Sequence, residues 1–191
     1  DTDTFANIEA ISGTSENDTF YGSSDSNEFF RYRGLAGNDT FIGGASYDWL
    51  DYSRDANYGP SSGINANLLT GTIIDGFGDT DTASGIDWVR GTNQGDIMIA
   101  DNTGVKLEGM DGNDTLTGGT SGDTILDGSG NDTVFGGGGA DDIYAGSGND
   151  TYYAGNGNDT VTNFGGLDSF YGGSGTDTFV DDLTDYPSPG V

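Results

Sequence analysis

Histidine and cysteine are absent from this 191-residue chain, and only five residues are lysine or arginine. These absences exclude Ser-His-Asp and Cys-His catalysis, zinc sites built on His and Cys, haem bound through His, and disulfide bonds. Five cations against 32 acidic residues also exclude a nucleic-acid partner, because they cannot neutralise a phosphate backbone. No apolar run approaches the roughly 18 residues of a membrane-spanning helix, so no membrane insertion is expected.

The acidity that remains is almost entirely aspartate. Asp supplies 28 of the 32 acidic residues, and the formal net charge is −27. Aspartate and glycine, which contributes 36 residues, are both turn formers. Such a composition is typical of disorder, but proline is limited to 3 residues and regularly placed aromatic residues reach 12%. We therefore expect an ordered, turn-rich protein, and the start at Asp1 without a methionine indicates a piece of a longer one.

A nine-residue repeat runs without insertion from Gly109 to Val180, in eight blocks. The fourth position is glycine in every block except one, where it is Ser121. The eighth position is apolar or aromatic throughout: Leu116, Ile125, Val134, Ile143, Tyr152, Val161, Phe170 and Phe179. The sixth position is always aspartate: Asp114, Asp123, Asp132, Asp141, Asp150, Asp159, Asp168 and Asp177.

Each block has the chemistry of one turn and one short strand. Its first six residues are polar and rich in glycine, and its last three alternate around a single apolar side chain. One block cannot bury that side chain alone, so two blocks should form one coil of 18 residues with a strand on each side. Stacked coils would then form two parallel sheets that face each other across a thin core.

The blocks resemble the RTX, or hemolysin-type, nonapeptide repeat GGxGxDxUx. The resemblance implies an all-β fold, a parallel β-roll solenoid, with calcium ions in rows between the turns. It also implies type I export of an unfolded chain, a secreted or cell-surface location, and folding on extracellular calcium.

The N-terminal half repeats features of the C-terminal half. Residues 1–18 resemble 79–96, and residues 34–39 resemble 109–114, which indicates a duplication. A non-repeat segment, in which residues 64–74 have the pattern of a hairpin, separates the copies. We divide the chain into a leading segment with a short N-terminal roll (1–51), a linker or hairpin (52–81), a main roll (82–180) and a C-terminal cap or tail (181–191).

Electrostatics independently favours a bound cation. Coils about 4.8 Å apart would bring aspartates 18 residues apart into columns of like charge. The turns offer only carboxylate and carbonyl oxygens, which suit calcium better than magnesium. Asn27, which we place opposite Asp48, and Val105, beside Asp123, should interrupt the columns.

The resemblance implies a ligand set for about six to eight ions, each held between two turns that are 18 residues apart. Besides the eight sixth-position aspartates, the carboxylates are expected from Asp96, Asp18, Asp39 and Asp48. Carbonyl ligands at second and fourth positions would be Met110, Gly112, Gly119, Ser121, Gly128, Gly130, Gly137, Gly139, Gly146, Gly148, Gly155 and Gly157. Those at first and third positions would be Asp127, Ser129, Gly136, Gly138, Ala145, Ser147, Ala154, Asn156, Asn163, Gly165, Gly172 and Ser174.

Two aromatic features have alternative interpretations. Trp49 and Trp88 are interpreted as packing residues rather than a sugar platform. Phe135, Tyr153 and Tyr171, at the ninth position of alternate blocks, should stack in a row on one outer face. We favour a structural ladder, and the alternative is a binding surface for a glycan or a neighbouring domain of the parent protein.

Three functions remain open. The leading hypothesis is a non-catalytic calcium-binding module of a secreted bacterial protein. The alternatives are a segment of a surface-layer or adhesin-type interaction protein, and an accessory module of a secreted protease, lipase or polysaccharide-modifying enzyme whose catalytic domain lies elsewhere. Catalysis within the chain is not expected, because calcium would occupy nearly all of the regularly spaced aspartates.

Overall fold

The computed structural model describes residues 9–57, 62–163 and 165–181. Within these ranges the only helical element is the single 3-10 turn Asp55–Asn57, and no helix is long and apolar enough to cross a lipid bilayer. The strands are β1 (Ala10–Ser12), β2 (Thr19–Tyr21), β3 (Phe29–Arg33), β4 (Thr40–Ile42), β5 (Tyr47–Asp51), β6 (Asn65–Asn67), β7 (Thr72–Ile74), β8 (Thr80–Ser84), β9 (Trp88–Arg90), β10 (Ile97–Ile99), β11 (Lys106–Glu108), β12 (Thr115–Thr117), β13 (Thr124–Leu126), β14 (Thr133–Gly138), β15 (Asp142–Ala145), β16 (Thr151–Asn156), β17 (Thr160–Asn163), β18 (Ser169–Ser174) and β19 (Thr178–Asp181).

The strands form two sheets on opposite sides of a solenoid. One sheet has the order β1-β3-β5-β9-β11-β13-β15-β17-β19, and the other has the order β18-β16-β14-β12-β10-β6-β7-β8-β4-β2. Neighbouring strands in the repeats are parallel, and Leu116 lies opposite Val134, which lies opposite Tyr152. The predicted all-β parallel solenoid with coils of 18 residues is therefore confirmed.

The non-repeat segment adds a hairpin to one sheet only. Strands β6 and β7 pair antiparallel, and β7 pairs antiparallel with β8. This hairpin is inserted between β10 and β4, whereas in the opposite sheet β5 pairs directly with β9. Both sheets thus continue past the predicted linker without a break. The four-part division of the chain stays a prediction, and residues 1–8 and 182–191 of its terminal parts lie outside the described residues.

The core is one side chain thick, as the eighth positions predict. Leu116, Ile125, Val134 and Val161 are completely buried, and Phe170 is partly buried against the same cluster. A buried side chain of this size contributes about 1.5–3 kcal/mol. Because each strand supplies only one or two such residues, burial must be supplemented by other interactions.

Trp49 and Trp88 form the centre of a ladder on the outer face of the nine-stranded sheet. Arg31, Trp49, Trp88 and Lys106 lie opposite one another on four successive strands. The two indole rings stack with centroids 4.1 Å apart, while Arg31 lies 5.1 Å from the Trp49 ring and Lys106 3.8 Å from the Trp88 ring. Both tryptophans therefore pack within the sheet where β5 meets β9.

Candidate metal centre

A hydrogen-bond ladder joins the sixth-position aspartates of successive coils. The backbone N–H of Asp114 donates to Oδ1 of Asp132 at 2.7 Å, and that of Asp132 donates to Oδ1 of Asp150 at 2.8 Å. In the second column, the N–H of Asp123 donates to Oδ1 of Asp141 at 2.8 Å. The same bond joins four further pairs: Asp96–Asp114, Asp150–Asp168, Asp141–Asp159 and Asp159–Asp177. One oxygen of each later carboxylate therefore binds the preceding coil.

The second oxygen has no protein partner in most of these residues. Among the described residues, the buried Oδ2 atoms without a hydrogen bond include those of Asp39, Asp114, Asp132, Asp141, Asp159 and Asp168. A buried acceptor that lacks a donor costs about 1–3 kcal/mol, and more when it is charged. Repeated carboxylate oxygens of this kind, in turns without His or Cys, fit a hard dication such as calcium.

The aspartates also show the electrostatic cost of stacking. Burial raises the pKa of Asp114 to about 8, and the nearby charges of Asp96 and Asp132 raise it further against a backbone hydrogen bond that lowers it. Burial likewise raises the pKa values of Asp132 and Asp141 to about 6. A bound dication would favour the ionised carboxylates and so reverse these shifts.

The turns that carry the predicted carbonyl ligands stack in register. Gly137 lies opposite Gly155 and Gly173, and isolated parallel bridges join Ser129 to Asp111 and Ser147. The backbones approach closely: a Cβ added at Gly130, whose φ is +141°, would lie 1.5 Å from the carbonyl oxygen of Gly112. A larger residue cannot occupy this position without moving a turn.

Two of the implied carbonyl ligands hold neighbouring turns together. The N–H of Ser147 donates to the Gly128 carbonyl at 2.8 Å, and the N–H of Gly130 donates to the Ser147 carbonyl at 2.8 Å. Each carbonyl oxygen keeps a second lone pair that an ion could use. The remaining predicted carbonyl residues lie in the same turns or at the adjoining strand ends. Their role as ligands stays a prediction.

Asp18 and Asp39 form a pair in the first coils, as the sequence predicts. The N–H of Asp18 donates to Oδ1 of Asp39 at 2.8 Å. Asp48 differs, because its two oxygens accept hydrogen bonds from the hydroxyls of Tyr32 and Ser46 and from the N–H of Gly44. Protein donors therefore already satisfy this carboxylate, and ion binding at Asp48 stays a prediction.

Asp48 lies opposite Phe30, not opposite Asn27 as the sequence indicated. The three residues Arg31, Tyr32 and Arg33 belong to the five-residue strand β3 and shift the register of this coil. Asn27 instead accompanies Asp25 in the preceding loop, where it donates to the Asp25 carboxylate.

Sequence reasoning missed two members of the columns. The N–H of Asp39 donates to Asp81 at 2.8 Å, and the N–H of Asp48 donates to Asp87 at 2.8 Å. Asp81 was detectable, because it precedes a threonine as most sixth-position aspartates do. It is separated from Asp39 by 42 residues instead of 18, so a search at fixed spacing overlooks it.

Asparagines at the fifth position connect the turns through a separate ladder. Oδ1 of Asn113 accepts the N–H of Asn131 at 2.8 Å, and Oδ1 of Asn131 accepts the N–H of Asn149 at 2.9 Å. Asn149 and Asn158 make equivalent bonds to the next coil. These side chains therefore bind backbone amides, which suits turn formers rather than ion ligands.

The stacked turns and their unpartnered carboxylate oxygens define a calcium-binding parallel β-roll. Comparison with known families gives a match to the RTX calcium-binding nonapeptide repeat (4 copies) over residues 4–30, 31–58, 108–143, 117–152, 126–161 and 144–179. Because these matches cover more than half of the chain, it belongs to the RTX calcium-binding repeat family. No match was found among curated proteins.

Proposed function

We propose that this chain is a non-catalytic module of a secreted or cell-surface bacterial protein, and that it folds when it binds calcium outside the cell after type I export. The observation that supports the proposal best is the pair of columns of buried aspartates whose Oδ2 atoms lack partners. About six to eight ions would occupy these columns.

The balance of forces in the roll makes calcium decisive. A net charge of −27 repels the compact state, and the thin core supplies little hydrophobic stabilisation to oppose it. Calcium bound at extracellular concentrations, where sites of this kind have dissociation constants of about 10⁻⁴–10⁻³ M, would supply the missing free energy. At cytosolic calcium the chain would stay unfolded and competent for export.

Calcium removal tests this function directly. The purified chain should give a disordered far-UV circular dichroism spectrum in excess chelator and a β-sheet spectrum at millimolar calcium. Magnesium at the same concentration should not restore the β-sheet spectrum, because its small octahedral shell does not suit the turns. A β-sheet spectrum that persists in excess chelator would contradict calcium-coupled folding.

One observation favours an additional role as an interaction module. The rings of Phe135, Tyr153 and Tyr171 stack at centroid distances of 5.0 and 4.9 Å and are 37%, 40% and 54% exposed. An exposed aromatic row could bind a surface polysaccharide or a neighbouring domain of an adhesin-type parent protein. The stacking itself was predicted and is confirmed, while binding stays a proposal.

A further inference from the structure

The turn that begins at Asp127 departs from the repeat in a way that the family pattern does not explain. In the other seven blocks the first residue is Gly, Ala or Asn, so only Asp127 brings a carboxylate to this position. Its side chain is completely buried. A second departure lies on the next coil, where Tyr152 is the only tyrosine at an eighth position of the strict repeat.

These two unusual residues contact each other. The Tyr152 hydroxyl lies 2.5 Å from Oδ2 of Asp127 and 3.0 Å from Oδ2 of Asp150. Burial, followed by the charge of Asp127, raises the pKa of Tyr152, so the phenol keeps its proton. One hydroxyl proton can serve only one of the two carboxylates at a time.

A third carboxylate joins them. One oxygen from each of Asp127, Asp132 and Asp150 lies within 4.8 Å of the others, and all three residues are at least 98% buried. Oδ2 of Asp132 is buried without any partner. The cluster therefore holds more negative oxygen than its donors can satisfy, and a cation is the group that would balance it.

We propose that the calcium ion between the turns 127–132 and 145–150 is bound by three carboxylates, with the Asp127 side chain added to those of Asp132 and Asp150, and that it is the most tightly bound ion of the roll. This inference rests on the proposed calcium-binding function. It assigns to Asp127 a role different from the carbonyl contact that the repeat pattern implies.

Charge sharing gives the third carboxylate its effect. Each interior aspartate of a column would serve two ions, so a filled column contains more positive than negative charge. Calcium affinity rises with the number of charged ligands, and the Asp127 carboxylate adds one where neighbouring ions lie on both sides. This ion should bind first as calcium increases and should order the coils around residues 127–152.

The variant Asp127→Asn tests the assignment, because it removes the charge and keeps an acceptor. Oδ1 of Asp127 accepts the N–H groups of Gly128 and Gly146 at 2.7 and 2.6 Å, and the asparagine oxygen can accept both. Calcium titration of the full chain against a competing fluorescent chelator should show one tightest ion in the wild type. In the variant, the dissociation constant of that ion should increase roughly 10- to 100-fold.

Two control variants separate a ligand from a purely structural residue. Asp142→Asn removes the same charge from an exposed position of β15 and should leave the tightest ion unchanged. Tyr152→Phe removes the hydroxyl but leaves the Asp127 carboxylate, so this ion should bind at least as tightly as in the wild type. If Tyr152→Phe weakens it as much as Asp127→Asn does, Asp127 acts through its hydrogen bond and the proposal is wrong.

Hydrogen exchange locates the effect. At calcium concentrations that fill only the tightest site, amides within residues 127–152 should be the first to gain protection in the wild type and should lose this priority in Asp127→Asn. Unchanged affinity and unchanged order of protection in the variant would overturn the inference, whereas failure of the wild type to bind calcium would overturn the proposed function instead. If Asp127→Asn does not fold, Asp127→Gly, which restores the commonest residue at this position, is titrated with the same expected loss.

Discussion

At the scale of single residues, aspartate performs two tasks in each turn. Oδ1 of Asp141 accepts the backbone N–H of Asp123, while its buried Oδ2 has no protein partner. A short side chain is needed, because the carboxylate must reach a backbone amide of the adjacent coil and still face its own turn. This requirement explains why the chain contains 28 aspartates and only 4 glutamates.

Position within a column should determine how much an aspartate contributes to calcium binding. Asp141 lies between Asp123 and Asp159 and would serve two ions, whereas Asp177 follows Asp159 as the last member of the column and would serve one. We expect Asp141→Asn to raise the calcium midpoint of folding by roughly tenfold and Asp177→Asn to raise it less.

Circular dichroism during calcium titration gives both midpoints. The comparison is well matched, because each asparagine keeps an oxygen that can accept the N–H of the preceding column member. Equal midpoints for the two variants would mean that interior aspartates do not share ions.

At the scale of elements, the roll relies on ladders that run across strands. Inside, the eighth-position side chains stack in two rows, and at the turns asparagine and aspartate oxygens bind the next coil. Outside, aromatic side chains take over this task in the Trp49–Trp88 stack and in the row of Phe135, Tyr153 and Tyr171. Each ladder stabilises the contact between coils rather than within one strand.

The row Phe135, Tyr153 and Tyr171 can be tested for a function beyond stability. Replacing all three with threonine keeps β propensity and should cost about 0.2–1 kcal/mol per lost cross-strand pair. Chemical denaturation at saturating calcium measures this loss. If the row is only a ladder, binding to a panel of bacterial surface polysaccharides should not change.

A loss of polysaccharide binding with near-normal calcium dependence would instead support the interaction role. Absence of binding by the wild type to every polysaccharide of the panel would count against a glycan-binding row.

At the scale of the whole molecule, electrostatic repulsion opposes the fold unless the buried carboxylates are neutralised. Burial raises the pKa values of Asp114 and Asp55 to about 8 and that of Asp81 to about 7. In the unfolded chain these groups should titrate near the ordinary value of about 3.9. The folded chain without calcium therefore binds protons more tightly than the unfolded chain does.

This difference predicts an unusual pH dependence in calcium-free solution. Protonation stabilises the fold fully below about pH 4, and that stabilisation is lost as the pH rises through about 8. Lowering the pH from 8 toward 4 should therefore increase the β-sheet signal of the calcium-free chain. With limiting calcium present the trend should reverse, because protons compete with the ion. A β-sheet signal that rises with pH in calcium-free solution would contradict this view.

The amino-acid sequence by itself determined the repeating unit and the chemistry of the turns. Glycine at the fourth position, Asp at the sixth and an apolar residue at the eighth are local requirements for a tight turn, a carboxylate and an inward strand residue. They recur every nine residues, so the coil of 18 residues, the two parallel sheets and the rows Asp114–Asp168 and Asp123–Asp177 could be predicted.

Only the tertiary structure decided how residues distant from this spacing join the columns. The hairpin β6–β7 enters one sheet and places Asp81 beside Asp39, while strand β3 places Phe30, not Asn27, opposite Asp48. The contact between Asp127 and Tyr152 likewise crosses from one coil to the next. Such neighbours depend on the hydrogen-bonded register between strands, which is set by the packing of whole coils and cannot be read from local spacing.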